Sequence, residues 1–481
     1  MARDKILKVS SYMIAPIIFI ILAFAPLDLL LNQKIFLAIF SFVISLWLFT
    51  DLPLFISGIL GVCLSVIFGV VSLQDGFAPF SNPIIFLFLG GFLLAKALEI
   101  TKLDETIAAI TLNIPWARKS AKRTVFIFLS LSFVLSMWIS NTAAVAMLLP
   151  IGIGLIKRLE VNFGITDSSF KEVLLISLAY SATIGGIVTP IGSPPNVIAI
   201  GLLNNLTGQN ISFLGWMLIT APIALILFSI VYYLCIKRLP SEKLDVDKNE
   251  IDMRMFDFHT FSVNQKYVIT VFLLTVFFWI SPSIVELFVE EGSSMSVVLK
   301  NNFSSAVVGL FFASTLFLFP LKSADKILNS RHISQIDWPS LLLFGSGLSL
   351  GQILFNTGLA QIMADSITSL SGDTNIYFVL SLLIIFTIFF TELASNTASA
   401  NILIPIMIAI GVKNELNTIL IALIFALSCN SAFMLPVATP PNAIVYGTNL
   451  IRKGTLIRRG FLINIMSWVI FSIVIALALK L

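Results

Sequence analysis

Long apolar stretches, separated by short clusters of charge, set the pattern of this chain. A helix needs about 20 apolar residues to cross roughly 30 Å of hydrocarbon. By that measure the pattern predicts eleven spans, at 12–31, 35–50, 54–72, 83–101, 172–203, 211–236, 266–288, 303–320, 338–356, 418–448 and 461–479. Two apolar stretches are left over. The first, Thr124 to Ile156, runs for 33 residues without a charge, too long for one ordinary crossing, between Lys122 and Arg123 on one side and Lys157 and Arg158 on the other. Basic flanks mark the cytoplasmic face, so both ends lie there and the segment reads as a re-entrant hairpin with Ser140 to Thr142 at its tip. The second stretch lies within 374–412 and has flanks poor in Lys and Arg, as an entry from the outer face should.

The polar positions inside these apolar stretches are duplicated. SNTAAVAMLLPI, Ser140 to Ile151, returns 255 positions later as SNTASANILIPI, Ser395 to Ile406, with 7 of 12 positions identical. Each copy is followed by a second shared phrase, IGSPPNVIAIG from Ile191 to Gly201 and VATPPNAIVYG from Val437 to Gly447. The preceding segments agree too, since GGFLLAKALEITKL (Gly90 to Leu103) aligns with SGLSLGQILFNTGL (Ser346 to Leu359). Polar and helix-breaking residues are expensive where lipid offers the backbone no hydrogen bonds. Their presence at matched places in two halves points to a transporter's substrate site.

Charge placement fixes an orientation. With the N-terminus in the cytoplasm, 24 of the 29 Lys and Arg fall on cytoplasmic segments. Only Lys34, Lys300, Lys413 and Lys480 fall outside, and Lys96 lies near the inner end of a span, where it can snorkel. The C-terminus then lies outside. Five crossings separate the hairpins, so the second enters from the opposite face and the repeats are inverted. The expected organisation is a tail and first span over 1–34, a first repeat over 35–236 with hairpin 124–156 and broken helix 172–203, a cytoplasmic linker and connecting span over 237–302, and a second repeat over 303–481 with hairpin 374–412 and broken helix 418–448. The charged part of the linker is expected to be solvated, with some amphipathic helix.

Composition narrows the class. Of 481 residues, 58% are hydrophobic and 11% charged, and the mean hydropathy is +1.02, which identifies an integral membrane protein. The first apolar stretch has no small-residue cleavage site and reads as a retained span. His259 and His332 lie in predicted loops, so a His-ligated metal centre is not expected. Cys63, Cys235 and Cys429 sit in separate apolar segments without CxxC spacing and read as packed thiols. Neither GxSxG nor HExxH occurs, the repeated polar groups are amides and hydroxyls, and no enzymatic activity is expected. The spans are too apolar for a continuous channel lining. Nothing suggests a nucleic-acid partner.

At each tip, Ser-Asn-Thr precedes an apolar run, so Asn141 or Thr142, and likewise Asn396 or Thr397, is expected to cap the second arm. Helix N-termini aimed at the midplane then form an anion site that needs no Arg or Lys. The Pro-Pro-Asn phrases should interrupt spans five and ten, leaving carbonyls suited to a hard cation such as Na+. Taken singly, SNT could be an N-cap or interhelical hydrogen bond, and Pro-Pro-Asn a kink. Glu392 is the most prominent acid in a re-entrant segment, and its first-repeat counterpart is Met137. It reads either as a proton or counter-charge site or as a hydrogen-bonded scaffold residue.

The paired SNT motifs and VATPPNAIVYG resemble the divalent anion:sodium symporter family, the INDY-like dicarboxylate and citrate transporters, and the likeness covers essentially the whole chain. The resemblance implies an all-α polytopic fold of eleven transmembrane helices and two re-entrant hairpins. It also implies a homodimer, with a fixed scaffold and a transport domain moving as an elevator. The first Na+ site it implies uses Ser136, Ser140 and Asn141 with backbone near Gly192. The second uses Thr391 and Asn396 with backbone carbonyls of Ala394, Ala438 and Pro440. Substrate carboxylates would meet Asn141, Thr142, Ser395, Asn396 and Thr397, with Ser193 and Thr439 adding hydroxyls. The function implied is Na+-coupled symport of succinate, malate or fumarate. Alternatives on the same fold are a carboxylate exchanger, which basic residues at the matched cation positions would favour and which this chain lacks, or a Na+-coupled citrate or sulfate transporter.

Overall fold

The computed structural model describes residues 2–117, 120–163, 168–237, 261–289, 302–318, 326–370 and 375–478, with isolated positions 293, 294 and 298. The amphipathic helix expected within the charged linker falls on 238–260, outside the described residues, as do His259, Lys300 and Lys480.

The described elements are helices. The first part of the chain gives α1 (Ala2–Phe24), α2 (Leu31–Phe49), α3 (Leu54–Ile67), α4 (Leu73–Phe77) and α5 (Pro83–Ile100), then α6 (Leu103–Leu112), α7 (Ala121–Ser136) and α8 (Asn141–Phe163). These are followed by α9 (Ser168–Gly185), α10 (Pro194–Thr207), α11 (Phe213–Ile236) and α12 (Val263–Val285). The remainder gives α13 (Ser305–Thr315), α14 (Ser330–Ile333), α15 (Trp338–Asn356), α16 (Leu359–Leu370), α17 (Ile376–Leu393), α18 (Asn396–Lys413), α19 (Thr418–Asn430), α20 (Pro440–Tyr446) and α21 (Lys453–Ala478). His332 thus lies in a one-turn helix rather than a loop, with its Nδ1 accepting from the Asn329 N–H at 3.0 Å.

Eight helical stretches among the described residues are long and apolar enough to cross a membrane, which makes the chain an all-α polytopic membrane protein. Two of the eight are α17 and α18, the arms of the second hairpin, and the expected spans 12–31, 54–72, 172–203, 303–320 and 418–448 are not among them. Prolines divide the expected spans 172–203 and 418–448 into α9 and α10 and into α19 and α20, of which α10, α19 and α20 are too short to cross alone. Pro194 and Pro195 open α10, and Pro440 and Pro441 open α20, where a missing N–H costs nothing. Pro26 restricts the residue before it, which fits the end of α1 at Phe24, before the expected limit of its span.

The two halves exchange partners. α10 packs on α18 and α19, while α20 packs on α8 and α9. The second piece of each broken helix is therefore held by the hairpin arm and first piece of the other half. That reciprocity brings both loops and both hairpin tips into one neighbourhood. Away from it, α5 and α13 touch backbone to backbone, since a Cβ on Gly90 would lie 2.7 Å from the Gly309 carbonyl carbon.

Candidate substrate and cation site

Each hairpin tip is a short turn held by serine. Ser140 Oγ accepts from the Ala143 N–H at 3.2 Å, and Ser395 Oγ accepts from the Ala398 N–H at 3.1 Å. The caps are therefore Ser140 and Ser395, not the Asn or Thr that follows. A hydroxyl one carbon from the backbone reaches the third amide of the helix, which leaves the neighbouring asparagine for other work. Ser136 Oγ donates to Asn141 Oδ1, and Thr391 Oγ1 lies 2.8 Å from Asn396 Oδ1 and 2.8 Å from the Cys429 carbonyl. A hydroxyl has one hydrogen, so at the second tip three neutral oxygens share a single proton. Such a set suits a hard cation, and its uncharged donors leave the cation's charge to a bound anion. With Oδ1 turned to these hydroxyls, the Nδ2 hydrogens of Asn141 and Asn396 are left for another acceptor.

The loops between helix pieces share one clasp. Asn196 Nδ2 donates to Gly186 O at 2.9 Å and Thr189 O at 2.8 Å, ten and seven residues back. Asn442 Nδ2 donates to Ala432 O and Leu435 O, both at 3.2 Å and again ten and seven residues back. The Asn of each Pro-Pro-Asn phrase thus satisfies carbonyls that the broken helix would otherwise orphan inside the membrane. The first loop also touches its hairpin tip. A Cβ on Gly186 would lie 2.3 Å from Asn141 Oδ1, and one on Gly192 would lie 2.5 Å from Gly186 O. At Gly186 a side chain would press on the tip, and at Gly192 it would press on the backbone of the loop itself.

Each loop is pinned to its hairpin at a matched junction. Thr189 Oγ1 donates to Met137 O in the first half. In the second, the Glu392 carboxylate accepts from the Met434 N–H at 2.7 Å and the Leu435 N–H at 2.9 Å, and from Asn464 Nδ2 at 2.7 Å. Of the two readings of Glu392, the hydrogen bonds describe the scaffold one. Asn430, at the end of α19, links the halves by donating to Asn196 Oδ1 at 2.9 Å and accepting from Ser193 Oγ. Further out, Arg452 Nε donates to Glu172 Oε1 at 2.7 Å, and Tyr180 donates to Phe433 O at 2.7 Å.

Of the expected residues, hydrogen bonds or close approach bring together Ser136, Asn141 and Gly192 with Gly186, and Thr391 with Asn396. Thr142 and Thr397 follow in the first turns, half-buried, while Ala394 and Ala438 are buried and Pro440 opens α20. Among the described residues no hydrogen bond joins these five to either oxygen set. Sequence reasoning missed Asn196, Asn442, Asn430 and the Cys429 carbonyl. The repeated Asn of Pro-Pro-Asn could have revealed the first two, whereas the others depend on contacts between halves. The three cysteines are free, Cys235 and Cys429 buried and Cys63 half-buried.

A cavity of about 750 Å³ reaches the first tip at Ser140, passing Lys96, Glu99, Asp104 and Asp337. Burial pushes the Asp104 carboxyl above its usual range. Lys96 does not snorkel alone but pairs with Glu99 at 2.9 Å.

Comparison with known proteins places this arrangement. The family model described as "Sodium:sulfate symporter transmembrane region" matches residues 5–480. An "Uncharacterized transporter" from Haemophilus influenzae is 34% identical over 459 residues, 94% of this chain and 93% of the relative. The "Sodium-dependent dicarboxylate transporter SdcS" of Staphylococcus saprophyticus is 32% identical over 477 residues, 96% of this chain and 89% of the relative. That of Staphylococcus aureus is 30% identical over 476 residues, with the same coverage. Among solved structures, the crystal structure of the Alcanivorax borkumensis YdaH transporter superposes with a TM-score of 0.54 at 12% identity, over 98% of this chain and 97% of that one, a likeness of fold alone. The chain belongs to the sodium:sulfate symporter family, the divalent anion:sodium symporters that its duplicated motifs resemble, and is a membrane transporter rather than an enzyme.

Proposed function

We propose that this protein is a Na+-coupled symporter of di-anionic carboxylates, the class of succinate, malate and fumarate. The observation that carries the reading is the pair of tips, Ser136 with Asn141 and Thr391 with Asn396, in each of which the Asn side-chain oxygen meets a hydroxyl and the amide hydrogens are left for another acceptor. Two neutral oxygen sets beside one set of donors fit cations bound next to an anion, and relatives named sodium-dependent dicarboxylate transporters support the same class. Na+ would be held by Ser136, Ser140, Asn141 and backbone at Gly192 on one side. On the other it would be held by Thr391, Asn396 and carbonyls of Ala394, Ala438 and Pro440, with Cys429 O added here. The cation charge then offsets that of the dianion, for which Asn141, Thr142, Asn396, Thr397 and Thr439 supply donors near Ser193 and Ser395.

Under this reading α7 with α8 and α17 with α18 are re-entrant hairpins of two inverted repeats, over 35–236 and 303–481, completing eleven crossings. The N-terminus is cytoplasmic and the C-terminus outside. Under the same orientation the cavity at Ser140, lined by Lys96 and Glu99 of α5 and Asp104 of α6, would give the first tip access from the cytoplasm. Transport proceeds by elevator-like movement of the hairpins and broken helices against a scaffold that pairs two copies of the chain.

The test is radiolabelled succinate uptake into proteoliposomes with and without an inward Na+ gradient, with malate, citrate and sulfate as competitors. Gradient-driven accumulation blocked by malate is expected. Blocking by sulfate but not malate would move the substrate to the inorganic anion in the family's description. Uptake that ignores Na+ but needs carboxylate loaded inside would make the protein an exchanger.

A further inference from the structure

Ser193 and Thr439 hold matched places, each the residue before a Pro-Pro-Asn phrase and each the N-cap of the second piece of its broken helix. Their hydroxyls are used in opposite senses. Thr439 Oγ1 accepts from the Asn442 N–H at 3.3 Å, which leaves its hydrogen unspent by the cap. Ser193 makes no cap bond and donates instead to Asn430 Oδ1.

Backbone carbonyls, which only accept, fix the direction of that bond. Gly186 O and Thr189 O take both Nδ2 hydrogens of Asn196, so Asn196 offers its Oδ1 to the next residue. Asn196 Oδ1 and Ala426 O, each at 2.9 Å, take both Nδ2 hydrogens of Asn430, so Asn430 offers its Oδ1 to Ser193. Reversing either amide would set oxygen against oxygen. The three side chains are 0%, 2% and 3% exposed, so water does not relieve such a clash. The second half lacks this chain of bonds. The position matching Asn430 is Ile184, which has no amide, and Asn442 Oδ1 is buried without a partner.

We infer that Asn430 is a specificity-determining residue. It makes Ser193 a hydrogen-bond acceptor, so of the two matched hydroxyls only Thr439 donates to a substrate oxyanion. The Ser193 side of the pocket favours a dicarboxylate that carries a hydroxyl of its own. The inference rests on the proposed function, which places both hydroxyls in the substrate pocket. Asn430 acts through Ser193 and is a positioning residue.

KM values for succinate and for malate, which differ by one hydroxyl, test it in proteoliposomes containing the full chain. Thr439→Val should raise both by about tenfold, the size expected for a lost hydrogen bond to a charged group. Ser193→Ala should raise the malate value several-fold and leave succinate within about twofold, as a neutral bond would. Asn430→Ala releases the Ser193 hydrogen, so it should shrink the preference for malate, and adding Ser193→Ala to it should then raise the succinate KM. A Ser193→Ala effect on succinate as large as that of Thr439→Val in the native background would overturn the inference. So would Ser193→Ala and Asn430→Ala variants that each shift both substrates by the same factor, as a merely structural role predicts. If Asn430→Ala does not fold, the two hydroxyl variants decide alone. Wild-type protein that takes up neither substrate would overturn the dicarboxylate reading and this inference with it.

Discussion

In the first loop, 186–193, a threonine hydroxyl ties the chain to its hairpin, Thr189 donating to the Met137 carbonyl; in the second, 431–439, a carboxylate makes the tie, Glu392 accepting from the Leu435 N–H at the matched position. The junction is the same and the roles are swapped. Where one half uses a side-chain donor on a backbone acceptor, the other uses a side-chain acceptor on a backbone donor. What the halves share is the backbone path and the asparagine clasp at its end, Asn196 or Asn442. A broken membrane helix needs every orphaned carbonyl and amide met, and any residue that meets them will serve. The halves therefore share the positions that create the break, and differ at those that secure it.

The largest effects should fall on the shared positions. In the proposed site, Asn141→Ala and Asn396→Ala would each remove an oxygen offered to a cation and a donor offered to the anion. Uptake should drop at least about a hundredfold in both, with elution and melting behaviour close to wild type. Gly186→Ala should match them, because its methyl would lie 2.3 Å from Asn141 Oδ1. A tip variant that keeps uptake with unchanged Na+ dependence would break the equivalence of the two tips.

Next come the clasps, where the halves should separate. Asn196→Ala orphans two loop carbonyls and strands the Asn430 amide, whereas Asn442→Ala orphans two carbonyls only. At about 1–3 kcal/mol for each orphaned buried group, partly relieved by relaxation, Asn196→Ala should lower the unfolding free energy by about 1 kcal/mol more than Asn442→Ala. Denaturant or thermal melts in detergent would show the order. Equal losses would mean that Asn430 does not bind the halves.

The smallest effects belong to the pins. Glu392→Gln keeps one acceptor oxygen and puts an amide nitrogen where the other stood, against a backbone N–H. It should destabilise by about 1–3 kcal/mol and Thr189→Val by about 1 kcal/mol. As a scaffold residue, Glu392 should leave the pH profile of uptake unmoved when replaced by Gln. A profile that shifts in Glu392→Gln would restore its role as a proton site and make the two pins functionally unlike.

The split between shared and private positions also governs what the sequence reveals. Helix breaks are local, so Pro194, Pro195, Pro440 and Pro441 announce α10 and α20 from the chain alone, and the SNT phrases mark the turns before α8 and α18. Which residue of SNT caps the arm was harder to read, because Ser, Asn and Thr are all good caps and only the partners Ser136 and Thr391 decide that Asn turns away. Asn430 was invisible for a different reason. Its partners lie 234 and 237 positions away, on the other half, so no local spacing marks it.

The central claim is that two cation sites flank one dianion, and the ratio of ²²Na+ to labelled succinate entering proteoliposomes with the potential clamped tests it most directly. The account predicts that about two or more Na+ enter with each succinate, and that both fluxes vanish together in Asn141→Ala and in Asn396→Ala. Succinate entry with no accompanying Na+ would contradict it.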